Sequence, residues 1–191
     1  MHTQIRLFIE KLTGPIPEED WNLYKENLIP KSYRKGDLLL QYNEPCKTLW
    51  HLEMGAVRKT ELVDGVSKTT NFDLAPKVIT VLQSALTGVP SELSLVCEED
   101  CEIHELPFRV MQELFEKSHF IERVARCIVQ QEYIYEFGSR RMLLKMDALQ
   151  RYEYMEKNFP DVMNRFQLKD LAAFIGVTPE TLSRLRKVRF S

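Results

Sequence analysis

The sequence predicts an α+β protein. An N-terminal double-stranded β-helix, a jelly-roll-like β-roll flanked by helices, precedes a long helix and a C-terminal all-α helix-turn-helix domain. Three observations carry this reading. Short apolar runs separated by turn residues fill the middle of the chain, an apolar helical repeat starts after Ser118, and a helix-glycine-helix pattern occupies Phe166 to Lys187.

The 191 residues are 44% hydrophobic and 28% charged, which excludes a disordered chain and allows one medium domain or one with a small appendage. A large multidomain enzyme is excluded by the same arithmetic. No apolar run approaches the roughly 18 residues of a membrane span. Glu10 and Lys11 interrupt the N-terminal stretch where a secretory signal would stay apolar, so a cytoplasmic protein without a membrane partner is expected. Cys46, Cys97, Cys101 and Cys127 form no CxxC pair, and reduced thiols are expected. Residues 1–138 carry 15 Lys+Arg against 22 Asp+Glu, net −7, whereas residues 139–191 carry 11 against 6, net +5. A basic tail on an acidic body points to an anionic partner for the tail.

The elements follow in order. Ile5, Phe8, Ile9 and Leu12 recur at helical intervals before Gly14-Pro15, and Trp21, Leu23, Tyr24 and Leu28 resume the pattern after Pro17. Strands are expected at Leu38-Leu39-Leu40, at Thr48 to Lys59 and at Lys68 to Leu74. Gly55 lies inside the second, as a bulge or close backbone approach, and Asp64-Gly65 is the hairpin turn before the third. Two more are expected at Leu93 to Cys97 and Cys101 to Leu106, with Glu98-Glu99-Asp100 as the turn between them. A reversible disulfide between Cys97 and Cys101 across that hairpin competes with two ordinary strand thiols. Between the strands, Ile79 to Thr87 forms one or two helical turns ending near Gly88-Val89-Pro90, a possible ligand cradle.

Pro107 suits the first turn of a helix and Ser118 the cap of the next. Phe120, Val124, Cys127, Gln131 and Ile134 then recur at intervals of 4, 3, 4 and 3, a heptad stripe beside a second one of Ile121, Ala125, Ile128 and Tyr135. One stripe suits the β-unit and the other a partner helix; a helix buried within one subunit fits the periodicity equally. After Gly138, taken as the breakpoint, Met142 to Met155 continues helically until Pro160.

The densest signal is the run from Phe166 to Lys187. Leu168, Leu171, Ala172 and Ile175 make an inward face, Ala172 is small enough for a second helix to cross closely, and Gly176 supplies a left-handed turn residue. Thr178 caps the second helix, Pro179 takes its first position, and Leu182 and Leu185 point inward. The other face offers Glu180, Thr181, Ser183, Arg184 and Lys187, as a recognition helix does to a major groove. Arg184 suits guanine O6 and N7, Glu180 suits cytosine N4, and Thr181 and Ser183 suit phosphate or a thymine methyl. Arg186, Lys187 and Arg189, with Lys169 and Arg165 on the flanks, suit phosphates. A helical hairpin with a solvated basic face is the plainer alternative.

From end to end the chain resembles bacterial transcription regulators of the Crp/Fnr family. The resemblance is carried by Tyr33-Arg34-Lys35-Gly36-Asp37, by Leu49 to Gly55-Ala56-Val57, by the Asp64-Gly65 hairpin, by Ala148 to Tyr152, and by Asp170-Leu171-Ala172 through Arg184. It implies a cyclic-nucleotide-binding-like effector domain over residues 1–117, a dimerisation helix over 118–138 and a DNA-binding domain over 139–191. The implied partners are inverted-repeat DNA, a second copy of the chain and RNA polymerase. Members that bind cyclic AMP carry a Gly-Glu-Leu turn and an Arg-Ser pair. Here the corresponding residues are Val81, Leu82 and Gln83 through Pro90, Ser91 and Glu92, with Pro90 where the arginine would stand. A buried phosphate without a cationic partner is costly, so this effector pocket is not expected to take cyclic AMP in the usual way, and the effector is left unidentified. Only Val188 to Ser191 follow Lys187, so the family's β-wing is expected to be missing.

No GxSxG, Walker or HExxH pattern supports an enzyme, no cofactor or metal is predicted, and no cysteine precedes Cys46 to build an iron-sulfur sensor. His51 and His104 are expected as strand residues facing water or a neighbour. Two functions remain: a homodimeric sequence-specific DNA-binding regulator, and a small-molecule receptor or interaction module with a vestigial DNA-binding end.

Overall fold

The computed structural model describes residues 3–189, with only the backbone of Thr3, Val188 and Arg189. Its centre is eight strands, β1 (Ile29–Tyr33), β2 (Leu38–Leu40), β3 (Thr48–Met54), β4 (Ala56–Val63), β5 (Val66–Leu74), β6 (Lys77–Ile79), β7 (Leu93–Cys97) and β8 (Cys101–Pro107). They form two antiparallel sheets ordered β1-β8-β3-β6 and β2-β7-β4-β5. Most successive strands therefore change sheet, which winds the chain into the expected β-roll. Leu40, Trp50, Leu52, Val57, Ile79, Leu95 and Ile103 fill the space between the sheets.

The sheet changes explain two corrections. Gly55 is not inside a strand; it is the corner between β3 and β4, which lie in different sheets. Its φ of +104° and the 2.6 Å and 2.7 Å that would separate an added Cβ from Cys101 Sγ and the Asp100 carbonyl oxygen explain why only glycine fits. Glu98-Glu99-Asp100 is likewise a corner between sheets rather than a hairpin turn, and Cys97 and Cys101 are free thiols buried in the inter-sheet core. Strands β1 and β6 lacked a signal: β1 is a mostly exposed edge containing Pro30, and β6 has three residues. The Asp64-Gly65 turn is as expected, with φ of 52° and 75° and Val63 paired to Val66.

The helices are α1 (Thr3–Thr13), α2 (Glu18–Lys25), α3 (Leu82–Thr87), α4 (Phe108–Lys117), α5 (His119–Lys145), α6 (Ala148–Asn158), α7 (Pro160–Arg165), α8 (Leu168–Phe174) and α9 (Pro179–Arg189). Helices α1, α2 and α4 and the start of α5 enclose a second core of Ile5, Ile9, Trp21, Met111, Leu114 and Ile121 beside the roll. Ser118 Oγ accepts from the Ile121 amide at 3.1 Å, the expected cap, and donates to Asp20 Oδ1 at 2.6 Å. His51 and His104 are both buried strand residues; the His51 Nε2 lies 2.6 Å from Tyr24 Oη.

Helix α5 runs 27 residues without a break at Gly138. One glycine in a helix costs only about 1 kcal/mol relative to alanine, which the burial of Ser139 and Met142 just after it offsets. The break comes at Met146-Asp147, where Asp147 and Gln150 form a capping box that starts α6. The heptad stripe is also corrected. Val124 is 3% exposed and Phe120 packs on the same intrachain core, so these two serve their own subunit, while Gln131 and Ile134 are exposed. The exposed apolar residues of α5 are Val129, Tyr133, Ile134, Phe137, Leu143 and Leu144.

A third core joins Ala56 and Phe72 of the roll to Met142, Tyr152, Phe166, Leu171, Phe174 and Leu182 of the last helices. Phe72 packs its ring 4.3 Å from that of Phe166 and 5.3 Å from that of Phe174. Gly55→Ala is expected to destabilise the protein by about 2 kcal/mol or more, since it combines a strained φ with a clash against backbone. Urea unfolding with an unchanged midpoint would show that this corner relaxes freely.

Candidate nucleic-acid interface and effector cavity

Helices α8 and α9 form the expected helix-turn-helix. Leu171, Ala172, Ile175 and Leu182 are buried at its centre, with Leu168, Val177 and Leu185 packed at the edge. Gly176 has φ +68°. Arg151 fastens the turn from behind: its Nη1 donates to the Ile175 carbonyl at 2.8 Å and its Nε to the Met146 carbonyl at 2.9 Å. Thr178 Oγ1 accepts from the Thr181 amide at 3.2 Å, the expected cap, with Pro179 opening α9.

On the outer side Lys169, Thr178, Glu180, Arg184 and Lys187 are exposed, and Thr181 and Ser183 are half-buried. Arg184 Nη2 lies 3.4 Å from Thr181 Oγ1, one turn back on the same face. Glu180 is held below the ordinary carboxylate range by its own backbone N–H and by Thr178 at the start of α9. It stays an acceptor, as reading a cytosine amino group requires. The Arg189 side chain lies outside the described residues. Arg165 is not a free phosphate ligand, because its Nε donates to Glu99 Oε1 at 2.8 Å.

That ion pair belongs to a latch that sequence reasoning missed. Asp170 of α8 is 4% exposed; its Oδ1 accepts from Thr69 Oγ1 of β5 at 2.7 Å and lies 3.3 Å from Arg58 Nη1 of β4. Arg58 in turn pairs with Glu98 at 3.3 Å. Two of the three carboxylates of the β7–β8 corner thus hold the last helices, Glu98 through Arg58 and Glu99 through Arg165, while Asp100 accepts from the Lys35 amide. The available signal was one acidic residue, Asp170, beside the apolar face of a helix in a basic tail.

A second network fixes α5 to the roll. Asp73, fully buried, lies 3.2 Å from Lys59 and 2.7 Å from Lys77, and Lys77 reaches Glu132 of α5 at 3.0 Å. Asn71 donates to Glu136 at 2.7 Å and accepts from Tyr135 at 2.7 Å. Burial alone would raise the Asp73 carboxyl, but Lys59 and Lys77 outweigh it and hold the group below its ordinary range.

Above this network lies a cavity of about 580 Å³ between roll, α3, α4 and α5. It is of the size that small-molecule sites take. Val81, Leu82 and Gln83 line it as expected, but Pro90, Ser91 and Glu92 do not. Ser91 is turned into its own loop, where Oγ donates to the Leu93 carbonyl at 2.8 Å and its amide donates to the Glu44 carbonyl at 2.9 Å. Glu92 is exposed. Much of the wall comes from Phe108, Met111, Phe115 and Ile128, whose helical periodicity gave no sign of a ligand.

A β-roll with a ligand-sized cavity, a long helix along it and a helix-turn-helix beyond define a fold of the Crp/Fnr regulator type. Solved structures that share it include FixK2 from Bradyrhizobium japonicum, with a TM-score of 0.70 at 19% identity over 84% of this chain and 83% of that one. The c-di-GMP-responsive global regulator CLP from Xanthomonas campestris matches at 0.70 and 16% over 91% and 92%. A CooA mutant from Carboxydothermus hydrogenoformans matches at 0.68 and 15% over 85% and 76%. No protein-family profile and no curated protein sequence matches the chain. Among the described residues no helix is long and apolar enough to cross a membrane.

Two outcomes follow from the networks. In a double-mutant cycle, Thr69→Val and Asp170→Ala are each expected to cost about 1–3 kcal/mol in urea unfolding, and the double mutant less than their sum; strict additivity would show that the pair does not interact. The folded-state pKa of Asp73 is depressed, so its contribution is present above the unfolded value of about 4 and is lost as pH falls through the lower folded value. Asp73→Asn is therefore expected to be less stable at neutral pH and to lose less further stability below about pH 4 than the parent. Parallel pH profiles would remove Asp73 from the acid response.

Proposed function

We propose that the protein is a homodimeric, sequence-specific DNA-binding transcription regulator of Crp/Fnr type, whose β-roll holds a small-molecule effector other than cyclic AMP bound in the usual way. The observation that carries this reading is the outward face of α9. A complete helix-turn-helix presents Glu180, Thr181, Ser183, Arg184 and Lys187 to one side, with Lys169 and Thr178 at its entrance. The solved structures of the same fold include proteins named as regulators, CLP among them.

The cavity supports the effector part, and its 82–92 flank supplies no cation for a cyclic phosphate. The dimer part rests on α5. Tyr133, Ile134, Phe137 and Leu144 are 70%, 63%, 59% and 73% exposed. Such a strip on a long helix suits a second copy of itself; of the expected stripe, Ile134 lies within it and Cys127 and Gln131 precede it. Two recognition helices related by a two-fold axis then meet half-sites about one helical turn apart.

Selection from random duplex DNA by the purified protein is expected to enrich an inverted repeat. Salt-sensitive binding without sequence preference, with or without an added effector, would favour the receptor with a vestigial DNA-binding end. Arg184→Ala is expected to relax selection at one base position per half-site by about 1–3 kcal/mol, whereas Lys187→Ala weakens binding to all sequences and flattens the salt slope by about one unit. Phe137→Glu is expected to shift the protein from dimer to monomer in sedimentation at micromolar concentration; an unchanged mass would place the interface elsewhere.

A further inference from the structure

The charges around the cavity are unevenly committed. Thirteen of its twenty lining residues are apolar or aromatic, among them Leu49, Val78, Phe108, Met111, Phe115 and Ile128. Of the charged ones, Lys59 is held by Asp73 at 3.2 Å, Glu132 by Lys77 at 3.0 Å and Glu136 by Asn71 at 2.7 Å. Glu122, at the exposed rim one turn before Arg126, lies 3.8 Å from His119. Arg126 is the remaining cation on the wall, and no ion pair or hydrogen bond engages it among the described residues. Arg126 is exposed, at the solvent edge of the chamber, where a guanidinium is suited to one carboxylate or sulfonate whose apolar body lies inside. A second anionic group further along the α5 wall would face Glu132 and Glu136 instead.

We infer that this cavity takes an apolar molecule with a single anionic head, its body among the side chains of the roll and α4 and its head on Arg126. The inference rests on reading the cavity as the effector site, and it names the ligand class that reading leaves open. Ligands of this class bury most of their surface in the chamber and use one polar contact for orientation, as small-molecule sites commonly do. Multiply charged phosphate ligands are disfavoured by the carboxylates on the α5 wall.

Two matched pairs of probes test this on the full chain: dodecanoate with dodecanol, and anilinonaphthalene sulfonate with phenylnaphthylamine, each pair sharing an apolar body and differing in the anion. Calorimetry and probe fluorescence are expected to show saturable binding of at least one anionic member, about one per chain and at least tenfold tighter than its neutral partner. Arg126→Ala should remove that tenfold preference. Val129→Trp, which obstructs the wall from a half-exposed position outside the core, should abolish binding while leaving the unfolding midpoint near that of the parent. Equal binding of anionic and neutral members, or an Arg126→Ala variant that keeps the preference, would overturn the role of the head group. Tighter binding of cyclic AMP that displaces the probes would overturn the ligand class and leave the effector reading standing. Absence of binding by every probe, in a protein that still enriches an inverted repeat, would overturn the inference without touching the regulator. Conversely, saturable binding in a protein that selects no DNA sequence would uphold the inference and sink the regulator.

Discussion

The structure turns on one buried carboxylate. Asp170 sits in the first helix of the helix-turn-helix, yet its Oδ1 is held by Thr69 and Arg58 of the roll. Without it the aromatic contact of Phe72 with Phe166 and Phe174 would fix the distance between roll and module but leave their rotation to weak forces, because tilted ring contacts tolerate a range of angles. A hydrogen bond and an ion pair at a defined angle set that rotation. The latch is also incomplete, since Asp170 Oδ2 is buried with no hydrogen-bond partner among the described residues. A half-satisfied polar contact is specific in geometry and modest in net strength, which suits an orientation that must be set and can be released.

The two polar networks divide the work. Asp73, with Lys59 and Lys77, lies between roll and α5 and shares Lys77 with Glu132, so groups on the cavity wall also hold the long helix. Asp170, with Arg58 and Glu98, lies between roll and helix-turn-helix. Strand β4 carries both Arg58 and Lys59, whose side chains point to opposite faces of the sheet. One backbone segment therefore joins the cavity side to the helix-turn-helix side, through two residues that are neighbours in the chain.

Much of this was legible before any coordinates. The roll, the Asp64-Gly65 hairpin and the helix-turn-helix follow from turn chemistry and periodicity, which are local and strong at Gly65, Gly176 and Thr178. What local pattern could not supply was sheet membership. Gly55 and the 98–100 segment read as features within one sheet and are corners between two, because alternation of side chains is the same in either case. Periodicity also could not say which of two stripes on α5 faces inward, and Val124 went to the core because α4 and α1 enclose that end of the helix. The latch was illegible for a different reason: Thr69 belongs to no motif, and Asp170, though inside the helix-turn-helix pattern, carries no local sign of a partner 101 residues away.

Arg126 and Val129 line the cavity and also stand on the side of α5 that carries the exposed strip of Tyr133 and Phe137. In the proposed dimer, a molecule in the chamber and a second chain against the helix would share a boundary. Thermodynamic reciprocity would then apply: by whatever factor the occupant alters association of two chains, association alters retention of the occupant by the same factor. Cellular abundance of such a protein would itself be an input, since raising the chain's concentration would tune how much of the small molecule is needed to fill it.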